Sequence, residues 1–549
     1  MNKKEKILDT LFALLIFLIL VMPFVKLIEV SLYSDGFTLS HFKDVFSDFR
    51  VATAFKNTLI VGIFSSLICA LLGSLLAFLI AYTDVSFKGL IKGLVYLPFI
   101  VPSYVITLSY TNITSNVGFI TYILKKLGLP LINLYSIKGI IFVMVLCYTP
   151  MVYLMVMRNL LKIPRDMEYS SRLLGYSLFE TMRNINLKQI FPTIASGFFL
   201  VFLSTLDNFS IPAFLGVPAG ISVLSTLIYE KAIGIGTGAF SQAASLSVVL
   251  LLMALVISSL ENQILNSSKI SKDAHENNDV RIELKHKKSW GLLVVLILFV
   301  FNLIPIGSMI YSSFLTGYVK EFSFDALSFD NYLILLSTDT VKRAVINSTK
   351  YSILTVIICA VISVIYGYLK WKNKFKISTN ILDKVSNISY SIPGMVLSLG
   401  MIFHWAKPLG FSSLSIYGTG AILIVAYVSR FVIINMKSVT GGFLTMSYSL
   451  EESAILSNPS HVKKWTYIII PMIIKYVLTS SLMIFSYSFR ELTLSALLSG
   501  PKTTTIGLSV YNLQQAGNYY MSYAFSTLIL IVLFAMYLLL GIIDRRKNA

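Results

Sequence analysis

The stretch KNTLIVGIFSSLICALLGSLLAFLIAY, Lys56 to Tyr82, carries no charge after its first residue and shows no alternation of polar and apolar positions. An α-helix needs about 20 such residues to cross a hydrocarbon layer about 30 Å thick. A transmembrane β-strand would need about ten residues of alternating polarity, so this stretch reads as a spanning helix and not as a piece of barrel. The same criterion applied outward gives about twelve spans, near 7–28, 56–82, 90–111, 138–160, 188–206, 240–262, 290–312, 346–369, 387–406, 418–437, 468–489 and 522–543. The expected fold class is therefore an all-α polytopic membrane protein. With 56% of its 549 residues apolar, the chain is too hydrophobic for a set of soluble domains.

The formal charge of +19 is placed where a bilayer would put it. Lys and Arg gather at Lys3, Lys4 and Lys6, from Arg158 to Lys188, from Lys269 to Lys288, from Lys370 to Lys384, and at Arg545 to Lys547. If these segments are cytoplasmic, the positive-inside rule holds at each of them and both termini face the cytoplasm, as an even number of spans requires. No basic run is interleaved with aromatic stacking residues, so the partner implied by the charge is the lipid surface and not nucleic acid. The expected location is a bacterial cell (inner) membrane. Ile7 to Val25 follows a basic start without a small-residue cleavage site and is expected to remain as the first span. Cys69, Cys147 and Cys359 lie singly inside apolar blocks without CxxC or His neighbours, which marks packing residues and no metal site.

The polar stretch NQILNSSKISKDAHENNDVRIELKHKKS, Asn262 to Ser289, has no periodicity and divides the chain nearly in half. The expected organisation is a first repeat over 1–262, a cytoplasmic connector over 263–289 and a second repeat over 290–549. AFKNT at Ala54 to Thr58 echoes AVINS at Ala344 to Ser348, and LPFIVPSYVITL, with Pro98 and Pro102, echoes ISYSIPGMVLSL, with Pro393, at almost the same offset. Two parallel six-helix units of this kind enclose a pathway between pseudo-equivalent halves. The prolines can break helical hydrogen bonding where a helix lines a cavity.

After the fourth span of each half comes a matched segment: EYSSRLLGYSLFETMRNINLKQIFP, Glu168 to Pro192, and EESAILSNPSHVKKWTYIIIP, Glu451 to Pro471. Each reads as helix, turn, helix at the cytoplasmic face. Glu168, Glu451 and Glu452 stand in a first helical turn, where carboxylates complement the dipole and can meet basic groups of a partner. Ser170, Ser171, Ser453 and Ala454 keep one face small for close approach of another protein. Gly175, and Asn458 in its place, supply the left-handed residue that ends a helix.

These two segments resemble the EAA loops of ABC importer permeases, in which two glutamates and two alanines precede a spacer and a glycine. The resemblance extends over both halves and implies the type I permease fold. It implies that Glu168 to Gly175 and Glu451 to Asn458 dock on two ATP-hydrolysing subunits, and that a separate solute-binding protein delivers the cargo. The first segment departs from the pattern at Tyr169 and Lys188, the second at Asn458. No G-x-x-x-x-G-K-[ST] loop occurs, so ATP and magnesium belong to the partner ATPase, and no cofactor is expected on this chain. No catalytic constellation is present either, so the chain reads as a transport subunit without enzymatic activity of its own.

Ionisable residues within spans mark function by default. Asp207 and Asn208 in FLSTLDNFSIPAFLG, and Arg490 and Glu491 in FSYSFRELTLSALLSG, hold equivalent places and are the candidates for the translocation pathway. The fused form and the tail from Phe489 to Tyr520 are most similar to ferric-iron permeases; phosphonate, thiamine, polyamine and sulfate permeases are related. A permease of this kind needs no iron ligands itself, and no such cluster is seen. A secondary transporter, which also uses two repeats, is the alternative from another class; it would have no use for paired EAA-like loops.

Overall fold

The computed structural model describes residues 3–33, 36–116, 118–234, 238–266, 282–316, 326–446 and 461–545. Its first half runs α1 (Lys4–Leu32), α2 (Phe49–Tyr82), α3 (Lys88–Ile100), α4 (Ser103–Ile113), α5 (Ile137–Leu160), α6 (Arg165–Leu173), α7 (Leu178–Asp207), α8 (Leu224–Ile233) and α9 (Ala239–Leu265). The second half repeats the order with α10 (Lys287–Ser313), α11 (Asp339–Trp371), α12 (Lys376–Ser391), α13 (Gly394–Ala406), α14 (Gly420–Leu444), α15 (Val462–Phe489), α16 (Thr493–Leu498), α17 (Ile506–Gln515) and α18 (Tyr519–Leu539). Among the described residues ten helices are long and apolar enough to cross a membrane unbroken.

The spans expected near 90–111 and 387–406 are not straight. Each is a pair of half-helices, α3 with α4 and α12 with α13, bent by 103° and 119°. The cause is local: Pro102 and Pro393 lack an N–H, and each forces the residue before it into extended backbone. Val101 (φ −76°, ψ 133°) and Ile392 (φ −79°, ψ 134°) adopt it. A third bent pair, Pro212–Ala219 with α8, lies between expected spans. Prolines also explain two π-helical turns at repeat-equivalent places: Phe17–Val21 precedes Pro23, and Phe299–Leu303 precedes Pro305.

The AFKNT and AVINS echoes do the same work in each repeat. Asn57 Nδ2 donates to the Ser222 carbonyl (2.9 Å), and Thr58 Oγ1 accepts from Leu224 N–H (2.9 Å) at the start of α8. Asn347 Nδ2 donates to the Lys502 and Thr504 carbonyls (3.0 and 3.1 Å), and Ser348 Oγ accepts from Ile506 N–H (2.9 Å) at the start of α17. An Asn and a hydroxyl on one helix thus fix the loop and satisfy the orphan N–H of the helix that follows it.

Each repeat lends its first helix to the other. Asp9 of α1 accepts hydrogen bonds from Ile377 and Ser378 N–H (3.1 and 2.9 Å) in the first turn of α12, a carboxylate at a helix N-terminus. In return α10 lies on α3 and α4, where Asn302 Nδ2 donates to the Leu94 carbonyl (2.9 Å) and Asn112 Nδ2 donates to Ser312 Oγ (2.9 Å). The returning end of the connector is pinned to the loop after α2. Ile282 N–H donates to the Tyr82 carbonyl (2.9 Å), Leu284 N–H donates to Asp84 Oδ1 (2.8 Å), and Lys287 Nζ pairs with Asp84 Oδ2 (3.2 Å).

Candidate functional site

The helix α6 starts after Pro164, carries Asp166 and Glu168 in its first turn and Arg172 in its last, and so complements its own dipole at both ends. It stops at Gly175, whose φ of +89° closes the turn while its N–H donates to the Arg172 carbonyl (3.0 Å). Ser177 and Glu180 then form a capping box that opens α7. The buried Ser171 hydroxyl bonds that of Thr181 (3.0 Å), folding α6 onto the start of α7.

This packing changes the roles expected of two residues. Ser171 is not a small face offered to a partner, since it lies beneath the turn; Ser170 Oγ remains exposed and donates to the Asp166 carbonyl (2.7 Å). Glu168 points inward, where it accepts from Asn186 Nδ2, and the same amide donates to Tyr82 Oη (2.6 Å) at the end of α2. Among the exposed Asp166, Arg172 and Glu180 the outward face carries a group of large apolar side chains: Leu173 is 87% exposed, Leu174 78% and Phe179 73%, flanked by Tyr169 and Tyr176. The sequence pattern drew attention to the acidic and small residues because those define the resemblance. The signal for the exposed residues was the LL pair beside the glycine. Glu451, Glu452, Ser453, Ala454 and Asn458 lie outside the described residues.

A second constellation lies between the repeats. Asp207, the last residue of α7, accepts from Gly394 N–H (2.7 Å) at the first residue of α13 and forms an ion pair with Arg430. Arg490, just after α15, donates to the Ile100 and Phe99 carbonyls (2.6 and 3.3 Å), the last of α3, and stacks over Tyr487. The two candidates beside them each hold the turn that follows. Asn208 Oδ1 accepts from Ile211 N–H (2.9 Å), and Glu491 Oε1 accepts from Leu494 N–H (3.0 Å), each three residues on. Asn208 also donates to Tyr148 Oη (2.8 Å).

Arg430 was missed in the sequence, although an arginine within AYVSRFVIINM is the signal that finds it. It lies ten residues into the 25-residue α14, about 15 Å from the helix start at 1.5 Å per residue, and is buried. The charges therefore meet well within the depth of the bundle, not at its mouth. Gly394 is packed so closely here that a Cβ would collide with Arg430 and Thr493.

On one side a cavity of about 1150 Å³ opens between the repeats, lined by Asn112 and Tyr135 of the first and Tyr311, Tyr519 and Tyr523 of the second. Its lining carries hydroxyls and amides and no charged side chain. Among the described residues no group of three or more His, Cys, Asp or Glu could hold a metal ion.

Comparison with known proteins adds the following. A family model described as "Binding-protein-dependent transport system inner membrane component" matches twice, over residues 70–264 and 360–549. The ferric transport system permease protein FbpB of Actinobacillus pleuropneumoniae is 24% identical, covering 96% of this chain and 76% of that protein. A permease named for 2-aminoethylphosphonate transport, PhnU of Salmonella typhimurium, is 28% identical over 36% of this chain and 69% of its own length. Among solved structures, a bacterial alginate ABC transporter in complex with a periplasmic protein aligns with a TM-score of 0.41 and 22% identity, over 49% of this chain and 95% of that one.

Proposed function

Because the chain belongs to the family of inner membrane components of binding-protein-dependent transport systems, and is a permease of the ABC importer class with both repeats fused, we propose that it carries iron(III) inward. One observation carries the coupling half of this reading: the exposed Leu173 and Leu174 at the end of α6, and Phe179 in the first turn of α7, give an apolar platform around the turn between the two helices. An apolar cluster held rigidly outside the spans needs a protein partner to cover it. We assign that partner as one of two ATPase subunits, with the segment containing Glu451, Glu452, Ser453, Ala454 and Asn458 meeting the other.

Sidedness follows from the same place. The end of α2 touches both the coupling segment, through Tyr82 and Asn186, and the returning connector, through Asp84 and Leu284. Basic residues concentrate there, which supports a cytoplasmic face and two cytoplasmic termini. The repeats bounded as 1–262 and 290–549 then part and close around a pathway that passes Asp207, Asn208, Arg490 and Glu491. Cargo arrives from an extracytoplasmic binding protein, and ATP with magnesium acts on the ATPases alone.

The iron assignment rests on a relative that matches nearly the whole fused chain, where the phosphonate-named relative matches only a third of it. The deciding experiment is purification of the complex from membranes through a tag on this chain, followed by uptake of labelled ferric iron into vesicles holding it. Co-elution of an ATPase with ATP-dependent iron uptake supports the reading. An ATPase without iron uptake removes the cargo assignment, and no ATPase at all removes the coupling one.

A further inference from the structure

The helix breaks at Pro102 and Pro393 are equivalent in the two repeats, and so are Asp207 and Arg490. Each of these two charges crosses into the opposite repeat and ends on its broken helix. Their signs differ, and so do the helix ends they meet. Asp207 accepts from the N–H at the N-terminal end of α13, which is the positive end of a helix dipole. Arg490 donates to the carbonyls at the C-terminal end of α3, which is the negative end. The equivalent position thus carries an acid in one repeat and a base in the other, each matched to the helix terminus it meets.

We propose that these two reciprocal links are the gate of the pathway: Asp207 with Arg430 and Gly394, and Arg490 with Phe99 and Ile100, latch the repeats together deep in the bundle and separate when the repeats part. The inference rests on the reading of the chain as an importer permease. Both links join residues of different repeats, so no separation of the repeats at this level leaves them intact. Nothing else about them is local: the partners lie 187 and 390 residues apart in the chain.

Opening such a latch in a medium of low dielectric would strand charges, and a buried charge without a partner is costly. The second repeat holds the remedy. Glu491, next to Arg490 in the chain, is a carboxylate on the same repeat as Arg430. When Asp207 withdraws with the first repeat, Arg430 exchanges that carboxylate for Glu491 and remains paired. Arg430 also keeps one buried nitrogen, Nη1, without a hydrogen-bond partner in the present arrangement, ready for the exchange. The guanidinium fork can serve two carboxylates in turn, which a lysine amine on a flexible stem would do with less directional control.

The test uses the full chain in its complex, in lipid nanodiscs, with Val101→Cys as a reporter beside the break. Val101 is buried, as are Cys69, Cys147 and Cys359. Labelling by a water-soluble maleimide then reports opening at the latch. Asp207→Asn and Arg490→Gln are expected to raise the labelling rate about tenfold, which corresponds to about 1.4 kcal/mol in the opening equilibrium. Arg490→Lys, which keeps the charge but not the fork, is expected to fall between. Glu491→Gln keeps an acceptor for Leu494 but removes the charge that receives Arg430 in the open state; it is expected to lower both ATP-driven uptake and the labelling rate. Wild-type labelling rates in both Asp207→Asn and Arg490→Gln would overturn the proposal. If either variant fails to elute as a single species, Asp207→Glu and Arg490→Lys replace the pair under the same criterion. Absence of ATPase activity from the wild-type complex would strike the importer reading instead, and the labelling result would still judge the latch.

Discussion

The hydroxyls of Ser171 and Thr181 lie 3.0 Å apart beneath the Gly175 turn and close α6 onto the first turn of α7. That bond makes the apolar platform of Leu173, Leu174 and Phe179 a fixed surface and not a loose loop. Thr181→Val leaves the buried Ser171 hydroxyl unpaired, at a cost of about 1–3 kcal/mol. Thr181→Ser keeps the bond. The temperature of thermal inactivation in detergent should drop for the valine variant and stay near wild type for the serine one.

Gly175 gives a separate test, because a Cβ there meets nothing within 4 Å and the only obstacle is its φ of +89°. Gly175→Val forces a β-branched residue into the left-handed region, at about 1–3 kcal/mol. Gly175→Asn costs less, since asparagine tolerates that region. The order glycine, asparagine, valine is expected in the amount of ATPase retained on the tagged chain; an unchanged amount for valine would show that the turn does not hold the platform.

The platform itself is tested by Leu173→Asp and Leu174→Asp. Both side chains are exposed, so the fold has no reason to suffer, while a carboxylate in a desolvated contact costs at least about tenfold in affinity. Titration of ATPase onto the permease in nanodiscs measures it.

The matched caps of the two repeats predict matched losses. Thr58→Val and Ser348→Ala each remove the acceptor for a buried N–H, of Leu224 and Ile506, and should each destabilise by about 1–3 kcal/mol. Thr58→Ser should not. Thermal unfolding followed by size-exclusion chromatography compares the three.

The connector clasp sets a pH dependence. The Leu284 N–H, foremost, and then Lys287 hold the Asp84 carboxyl below its ordinary value of 3.8. A lowered pKa means that the ionised form belongs to the clasped state. The clasp is therefore complete above the ordinary value and is lost as pH falls through the lowered one, so between about pH 6 and 8 it does not change. Tryptic cleavage at Lys285, Lys287 and Lys288 should be slow and constant over that range for the wild type, and fast for Asp84→Ala.

Much of this architecture was legible in the sequence, and the reasons are physical. Length and hydropathy mark a span because the bilayer fixes both, and Pro102 and Pro393 marked the breaks because the ring removes a donor. AFKNT and AVINS stood out by repetition, and their shared capping role explains why an Asn and a hydroxyl stay together. What the sequence hid was partnership over distance. Nothing near Asp207 announces Arg430, 223 residues on, and nothing near Arg490 announces the Ile100 carbonyl. Asn208 and Glu491 adjoin the charges in the sequence, but the N–H groups each accepts from, three residues ahead, were not legible there. Glu168 and Ser171 fit a motif by type, yet packing against Asn186 and Thr181 decided which way they face.

The most direct test of the account is uptake of labelled ferric iron by cells that carry this chain, cells that lack it, and cells in which Leu173→Asp and Leu174→Asp are combined. ATP-dependent uptake in the first alone is the predicted result. Equal uptake in all three would contradict both the cargo and the coupling assigned to the chain.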